Sequence, residues 1–168
     1  MVVKLHLYLA ILCLVTLSSL GVAQPATFEN NIFKIPQGAA LIKGEALYYS
    51  DIQMAQDGEG NFTLIGAKRS SLAYVDSVSV ILTKSLPPLV SLFVRGNKSI
   101  PCVELQPPAI FKSSSAFTVA LAETSPDPAE ICIQMLAPFE TQIPLDITGL
   151  KPGTYSVNVN GTKSTFTF

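Results

Sequence analysis

Tryptophan is absent from this 168-residue chain, histidine occurs once, and cysteine only three times. Arg69 and Arg95 are the only arginines. The single histidine, His6, lies in the stretch 1–23, so a chain shortened by that stretch has no imidazole. Mechanisms in which a serine or cysteine nucleophile passes its proton to histidine then lose their base. Two motifs are missing as well: G-x-S-x-G, the turn that exposes a nucleophilic serine, and G-x-x-x-x-G-K-[ST], the loop that cradles phosphates. Two arginines and scattered lysines make no basic stripe able to displace counterions, which excludes nucleic acid as a partner. Without tryptophan the chain lacks the aromatic platform on which sugar-processing sites lean.

What the chain does have begins with one early charge, Lys4, and an apolar run over 7–17. Small residues follow at Gly21 and Ala23, then a polar stretch from Gln24. This order predicts a secretory signal peptide over 1–23, because the apolar core is shorter than the roughly 20 residues a membrane span needs. The alternative, a retained anchor, is disfavoured because no basic cluster follows the run. Cleavage after Ala23 would leave 145 of the 168 residues, with ten basic and twelve acidic side chains. The product is expected to be secreted or periplasmic, and not an integral membrane protein once cut.

Two cysteines, Cys102 and Cys132, remain in a chain expected to reach an oxidising compartment, and a disulfide between them is the natural expectation. It would close the loop 102–132. The alternatives are two buried or reactive thiols and, less suitably, a metal site. Two sulfurs without histidine fall short of tetrahedral zinc unless carboxylates complete the shell. No cofactor and no metal are expected.

From Tyr74 onward the hydrophobic period is two. Val78, Val80 and Leu82 alternate with polar or outward residues, as do Val90, Leu92 and Val94, then Phe117, Val119 and Leu121. The pattern resumes at Ile143, Leu145 and Ile147, at Tyr155, Val157 and Val159, and at Phe166 and Phe168. With an extended stretch over 102–112 this predicts seven half-buried strands at sandwich spacing. Asn160-Gly161 is the dipeptide a primed hairpin turn favours, and 113–115 reads as another hairpin tip. Pro87-Pro88 and Pro107-Pro108 must lie at edges or corners, since proline gives the ladder no donor.

The string Gly149-Leu150-Lys151-Pro152-Gly153-Thr154-Tyr155 has the form of a tyrosine corner, in which a phenolic hydroxyl bonds back to the chain near a proline-glycine turn. Leu150, Pro152, Gly153 and Tyr155 would be its structural residues. Taken with Leu145 to Leu150 and the later Val157, Val159, Asn160, Gly161 and Phe166, this stretch resembles the C-terminal signature of uncharacterised bacterial exported proteins with an immunoglobulin-like or fibronectin-type-III-like β-sandwich. The resemblance spans 73–168 and both cysteines. It implies an all-β, immunoglobulin-like Greek-key sandwich and carries over no catalytic residue, because such sandwiches host many unrelated roles.

The upstream segment, 24–72, reads as a strand, a loop at Asp57-Gly58-Glu59-Gly60-Asn61 and a second strand. It is too small to hold a core alone. A small β-hairpin packed on the sandwich or on a partner is expected, with 68–71 as a linker. The loop has oxygen ligands at alternate positions, but Phe62 and Lys68 stand where an EF-hand wants glycine and glutamate. The carboxylates that could pair for glycoside hydrolysis are Asp51, Asp57, Glu59, Asp76, Glu104, Glu123, Glu140 and Asp146, and most read as solvated turn charges. Sequons occur at Asn61, Asn97 and Asn160.

The segment 123–140 is long for a strand connection and carries Pro126, Pro128, Cys132 and Pro138. Tethered through Cys132, it would be either a stapled crossover or a rigid loop showing Glu130, Ile131, Ile133 and Met135 to a partner. The functional expectation is an exported, non-catalytic binding or structural module whose partner is a protein or cell-surface component. Two alternatives remain, a protease-inhibitor-like protein using the 123–140 loop and a carboxylate-dependent hydrolase.

Overall fold

A computed structural model describes residues 25–168, and the leader expected at 1–23 lies outside the described residues. The described chain is all-β, with three sheets arranged as a sandwich and a companion layer. The N-terminal sheet is an antiparallel meander of β1 (Thr27–Glu29), β2 (Ile32–Ile42), β3 (Glu45–Gln56) and β4 (Phe62–Arg69). Tight turns make it possible. Asn30 and Asn31 take positive φ between β1 and β2, and Lys43 and Gly44 do so between β2 and β3. That is the backbone a two-residue primed hairpin turn requires.

This sheet corrects the expected hairpin over 24–72. The predicted strand, loop and strand correspond to β3 and β4 around Asp57-Asn61, but β2 pairs along the other side of β3 from Ile32↔Ala55 to Ile42↔Glu45. The small and mixed residues Gln37, Gly38, Ala39 and Ala40 gave β2 no clear alternation. The expected linker is also structured. Lys68 and Arg69 belong to β4, Ser70 is buried, and its N–H donates to the Tyr48 carbonyl at 2.9 Å.

The sandwich follows in β5 (Tyr74–Leu82), β6 (Val90–Lys98), β7 (Ala109–Lys112), β8 (Ala116–Ala120), β9 (Ala137–Leu145), β10 (Thr154–Val159) and β11 (Thr162–Thr167). One sheet has the order β5-β6-β9 and the other β11-β10-β8-β7. Between them lies the predicted core: Val90, Leu92, Val94, Phe117, Val119, Leu121, Ile143, Leu145, Tyr155, Val157, Val159 and Phe166 are all buried. Each large side chain taken fully out of water contributes roughly 1.5–3 kcal/mol, and at one end Tyr155 stacks on Phe166 and Phe168 with centroids 5.6 and 5.4 Å apart. The corner forms as expected, with the Tyr155 hydroxyl donating to the Lys151 carbonyl at 2.6 Å.

Seven strands occur in this part, but their arrangement departs from the expected immunoglobulin-like Greek key. An immunoglobulin sandwich consists of two antiparallel sheets, whereas here β8 runs parallel to β10, from Ala116↔Ser156 to Val119↔Val159. Strand limits also moved. Of the extended 102–112 stretch, Ala109–Lys112 forms a strand and Leu105 makes a single antiparallel bridge to Glu123, with Pro107 and Pro108, which have no donor to give, between them. At its far end the supposed loop 123–140 becomes strand at Ala137.

The N-terminal sheet meets the sandwich around Tyr48, buried among Ala39, Ala46, Leu72, Ala109, Ala120 and Ala122. Small side chains let the layers approach closely. The Tyr48 hydroxyl lies 3.1 Å from Gln37 Oε1 and 3.0 Å from the Pro107 carbonyl, so its one proton is shared between two acceptors. Burial pushes the phenol above its ordinary pKa and keeps it a neutral donor.

Candidate interaction site

The base of the 123–140 loop is fixed at its first residue. Glu123 is 2% exposed, and its carboxylate accepts the Ser99 N–H at 2.8 Å and the Ser99 hydroxyl at 2.5 Å. Both bonds give the buried carboxyl group partners in place of the water it has lost. The Glu123 backbone is held as well, since its N–H reaches the Ser71 carbonyl and its carbonyl accepts from Gln106 Nε2 at 2.9 Å. Thr124 closes the base by exchanging bonds with Glu104 in both directions.

At Cys132 the chain is fixed again. Cys102 and Cys132 form the expected disulfide, with Cα atoms 6.0 Å apart, and the Cys102 N–H also points at Cys132 Sγ at 3.3 Å. The bridge ties Cys132 to the sandwich and leaves its neighbours Ile131 and Ile133 facing solvent. Ile131 is 99% exposed, and Ile133, Met135 and Leu136 are exposed beside it. Glu130 is exposed too. A short turn, Met135 N–H to the Ile133 carbonyl at 3.1 Å, then leads the chain into β9.

The four residues singled out in the sequence, Glu130, Ile131, Ile133 and Met135, thus sit together on one solvent-facing segment. Leu136 belongs with them and was missed, since it directly precedes a strand and reads as core. The anchoring role of Glu123 was also invisible, because Ser99 is distant in sequence. A second exposed apolar point, Leu86 and Leu89 around Pro87-Pro88, gave no pattern to recognise.

The remaining carboxylates are spread over the molecule and most are engaged locally. Asp57 accepts the N–H groups of Glu59 and Asn61, both at 2.9 Å, and Asn61 Nδ2 at 3.1 Å, so the 57–61 loop is a turn closed on its own aspartate. Those bonds, led by the Asn61 side chain, hold the Asp57 carboxyl below its ordinary value. Asp76 accepts from Asn97, Glu104 lies near Lys98, Glu140 pairs with Arg95 at 2.8 Å, and Asp146 lies 3.4 Å from Lys112. No group of three or more metal-binding side chains occurs among the described residues, and no helix among them is long and apolar enough to cross a membrane.

The disulfide, the loop, the corner and the β8/β10 pairing all fall within one stretch of the chain. Residues 92–168 match the ORF11 beta-sandwich domain. This is an uncharacterised β-sandwich family, and the match opens inside β6 at Leu92. The ORF11-type stretch therefore contains the stapled segment and both cysteines, while β5 and the N-terminal sheet lie outside it. No curated protein and no solved structure matches the chain.

Proposed function

We propose that this protein is an exported, non-catalytic module that binds a protein or cell-surface component through the stapled segment 130–136. The reading rests above all on Ile131, which stands 99% exposed directly beside a disulfide-bonded cysteine. Exposed apolar side chains are common singly, but Ile131, Ile133, Met135 and Leu136 together, on a segment fixed at both ends, have the character of an interaction patch. Fixing the loop before binding removes ordering entropy that a flexible loop would lose on association. Export is supported by the leader-like stretch 1–23, and the disulfide fits an oxidising compartment.

The test is capture from the secretome of the source cells on immobilised protein, with the Ile131→Asp/Ile133→Asp double variant alongside. The expected result is a species retained by the native chain and lost with the variant, whose thermal melt is unchanged. Equal retention by both would remove the loop from the proposal.

The exposed course of 130–136, pinned at Cys132, also favours a second reading as a protease inhibitor, since protease clefts accept exposed loops held in place by a disulfide. Stoichiometric inhibition of a serine or cysteine protease would support it. Rapid cleavage within 130–136 without inhibition would end it.

A further inference from the structure

The outward face of the β7-β8-β10-β11 sheet is ordered by its register. Ala116, Ser156 and Thr165 lie side by side in one row, and Phe111, Thr118, Asn158 and Lys163 in another. Their neighbours along the strands, Phe117, Val119, Val157 and Val159, are buried in the core, so alternation sends these side chains outward. All of them but Phe111 line a shallow trough of about 560 Å³. Thr118 and Asn158 also line the adjoining cleft of about 360 Å³ between this sheet and the N-terminal sheet, where Arg69, Glu45 and Leu47 form the opposite wall.

Two cations thus flank a polar row. Arg69 and Lys163 take part in none of the ion pairs among the described residues. Asn158 Oδ1 accepts the Gly161 N–H at 2.8 Å, which fixes the amide by its oxygen and leaves Nδ2 as the donor it offers. We infer that the trough and cleft together bind an acidic oligosaccharide. Arg69 and Lys163 take its carboxylates, and Thr118, Asn158, Ser156 and Thr165 meet its ring hydroxyls.

Several observations select this ligand class. A sheet face has its main-chain donors and acceptors committed to the ladder, so an extended peptide finds no backbone partners there. Nucleic acid would need many more cations than two. The absence of tryptophan weighs against neutral sugars that depend on stacking, but a uronate gains its affinity from charge-assisted hydrogen bonds. Glu45, in the wall of the cleft, repels a further carboxylate and accepts from hydroxyls, so the charged groups of the sugar face Arg69 and Lys163.

The full chain, isotope-labelled, is titrated with trigalacturonate and in parallel with neutral maltotriose, following backbone amide shifts. Saturable shifts at residues 118, 158 and 163 with the acidic trimer alone are expected. Arg69→Ala and Lys163→Ala should each weaken binding by about tenfold, the loss of one charge-assisted contact. Both side chains are exposed, and unchanged dispersion in the unliganded spectra verifies folding; if one variant unfolds, the other decides. Equal binding of the neutral trimer, shifts confined to other surfaces, unaltered affinity in the folded variants, or no saturable shift would each overturn the inference.

Discussion

The side chain of Asn160 grips the backbone of Leu121 from both sides: its Oδ1 accepts the Leu121 N–H at 3.0 Å, and its Nδ2 donates to the Leu121 carbonyl at 2.7 Å. The same Nδ2 donates to the Ala73 carbonyl at 2.9 Å. A residue required at the β10–β11 turn for its positive φ of 48° therefore also joins the start of β5 to the end of β8. The sequon at Asn160 is occupied by interior hydrogen bonding.

Asn160→Ala is expected to destabilise the fold by about 2–4 kcal/mol, because it takes the side-chain partner from the Leu121 N–H and the Ala73 carbonyl, while the Leu121 carbonyl keeps the Ala73 N–H, and because it places alanine at positive φ. Asn160→Gly relieves the second effect and isolates the first. Urea unfolding of both variants measures the difference. A loss below about 1 kcal/mol in each would show that water replaces the side chain at no cost.

Reduction of Cys102–Cys132, or the double replacement by serine, should cost about 3–4 kcal/mol in the chain-entropy treatment of a loop this size. The buried core around Leu92 and Phe117 does not depend on the bridge, so the reduced protein is expected to stay folded. Its 130–136 segment should become a preferred chymotrypsin site, at Met135 or Leu136. Mass mapping of early fragments with and without reductant checks both points. Indistinguishable cleavage patterns would count against the staple as the element that holds the segment.

Gly96→Ala should be among the most damaging single changes. An added Cβ would lie 2.0 Å from the Tyr74 carbonyl and 3.0 Å from the Phe139 ring. The closer contact is with backbone, which cannot swing aside as a flexible side chain can. A loss of about 3 kcal/mol or more is expected, with β5 released first because Tyr74↔Asn97 and Val75↔Gly96 are its pairings at that end. Hydrogen exchange along β5 would show whether the damage is local.

Asp146 gives a pH dependence. The Thr148 side chain, the Thr148 N–H at 2.9 Å and the Lys112 ammonium together hold its carboxyl down to about 2, from an ordinary 3.8. A folded-state pKa below the unfolded one gives stability that is fully present above about 4 and lost as pH falls towards 2. The group is fully exposed, so the effect is small. Asp146→Asn should flatten the acid limb of the stability curve between those values, and an unchanged limb would assign it to other carboxylates.

The sandwich strands were legible because half-buried strands write their two environments into alternate residues, and Val90, Leu92 and Val94 or Tyr155, Val157 and Val159 do so without interruption. The tyrosine corner and the Asn160-Gly161 turn were legible because each depends on local backbone geometry. β2 was not, since its central Gln37-Gly38-Ala39-Ala40 stretch packs small residues against neighbours and shows no alternation. The bulge in β5 was hidden too: it lies between Val75 and Ser77, shifts the phase of the strand that opens at Tyr74, and lets Val75 and Val78 both pack on the core.

By itself the sequence determined the all-β character, the two cysteines available for pairing, the corner and the apolar content of 130–136, because these follow from residue type and near-neighbour spacing. Tertiary structure alone decided that β8 lies parallel to β10, that Glu123 is a buried anchor for Ser99, and that Arg69 and Lys163 flank one polar trough. Each of those depends on chain segments distant in sequence meeting in space, and no local periodicity encodes which distant segment arrives.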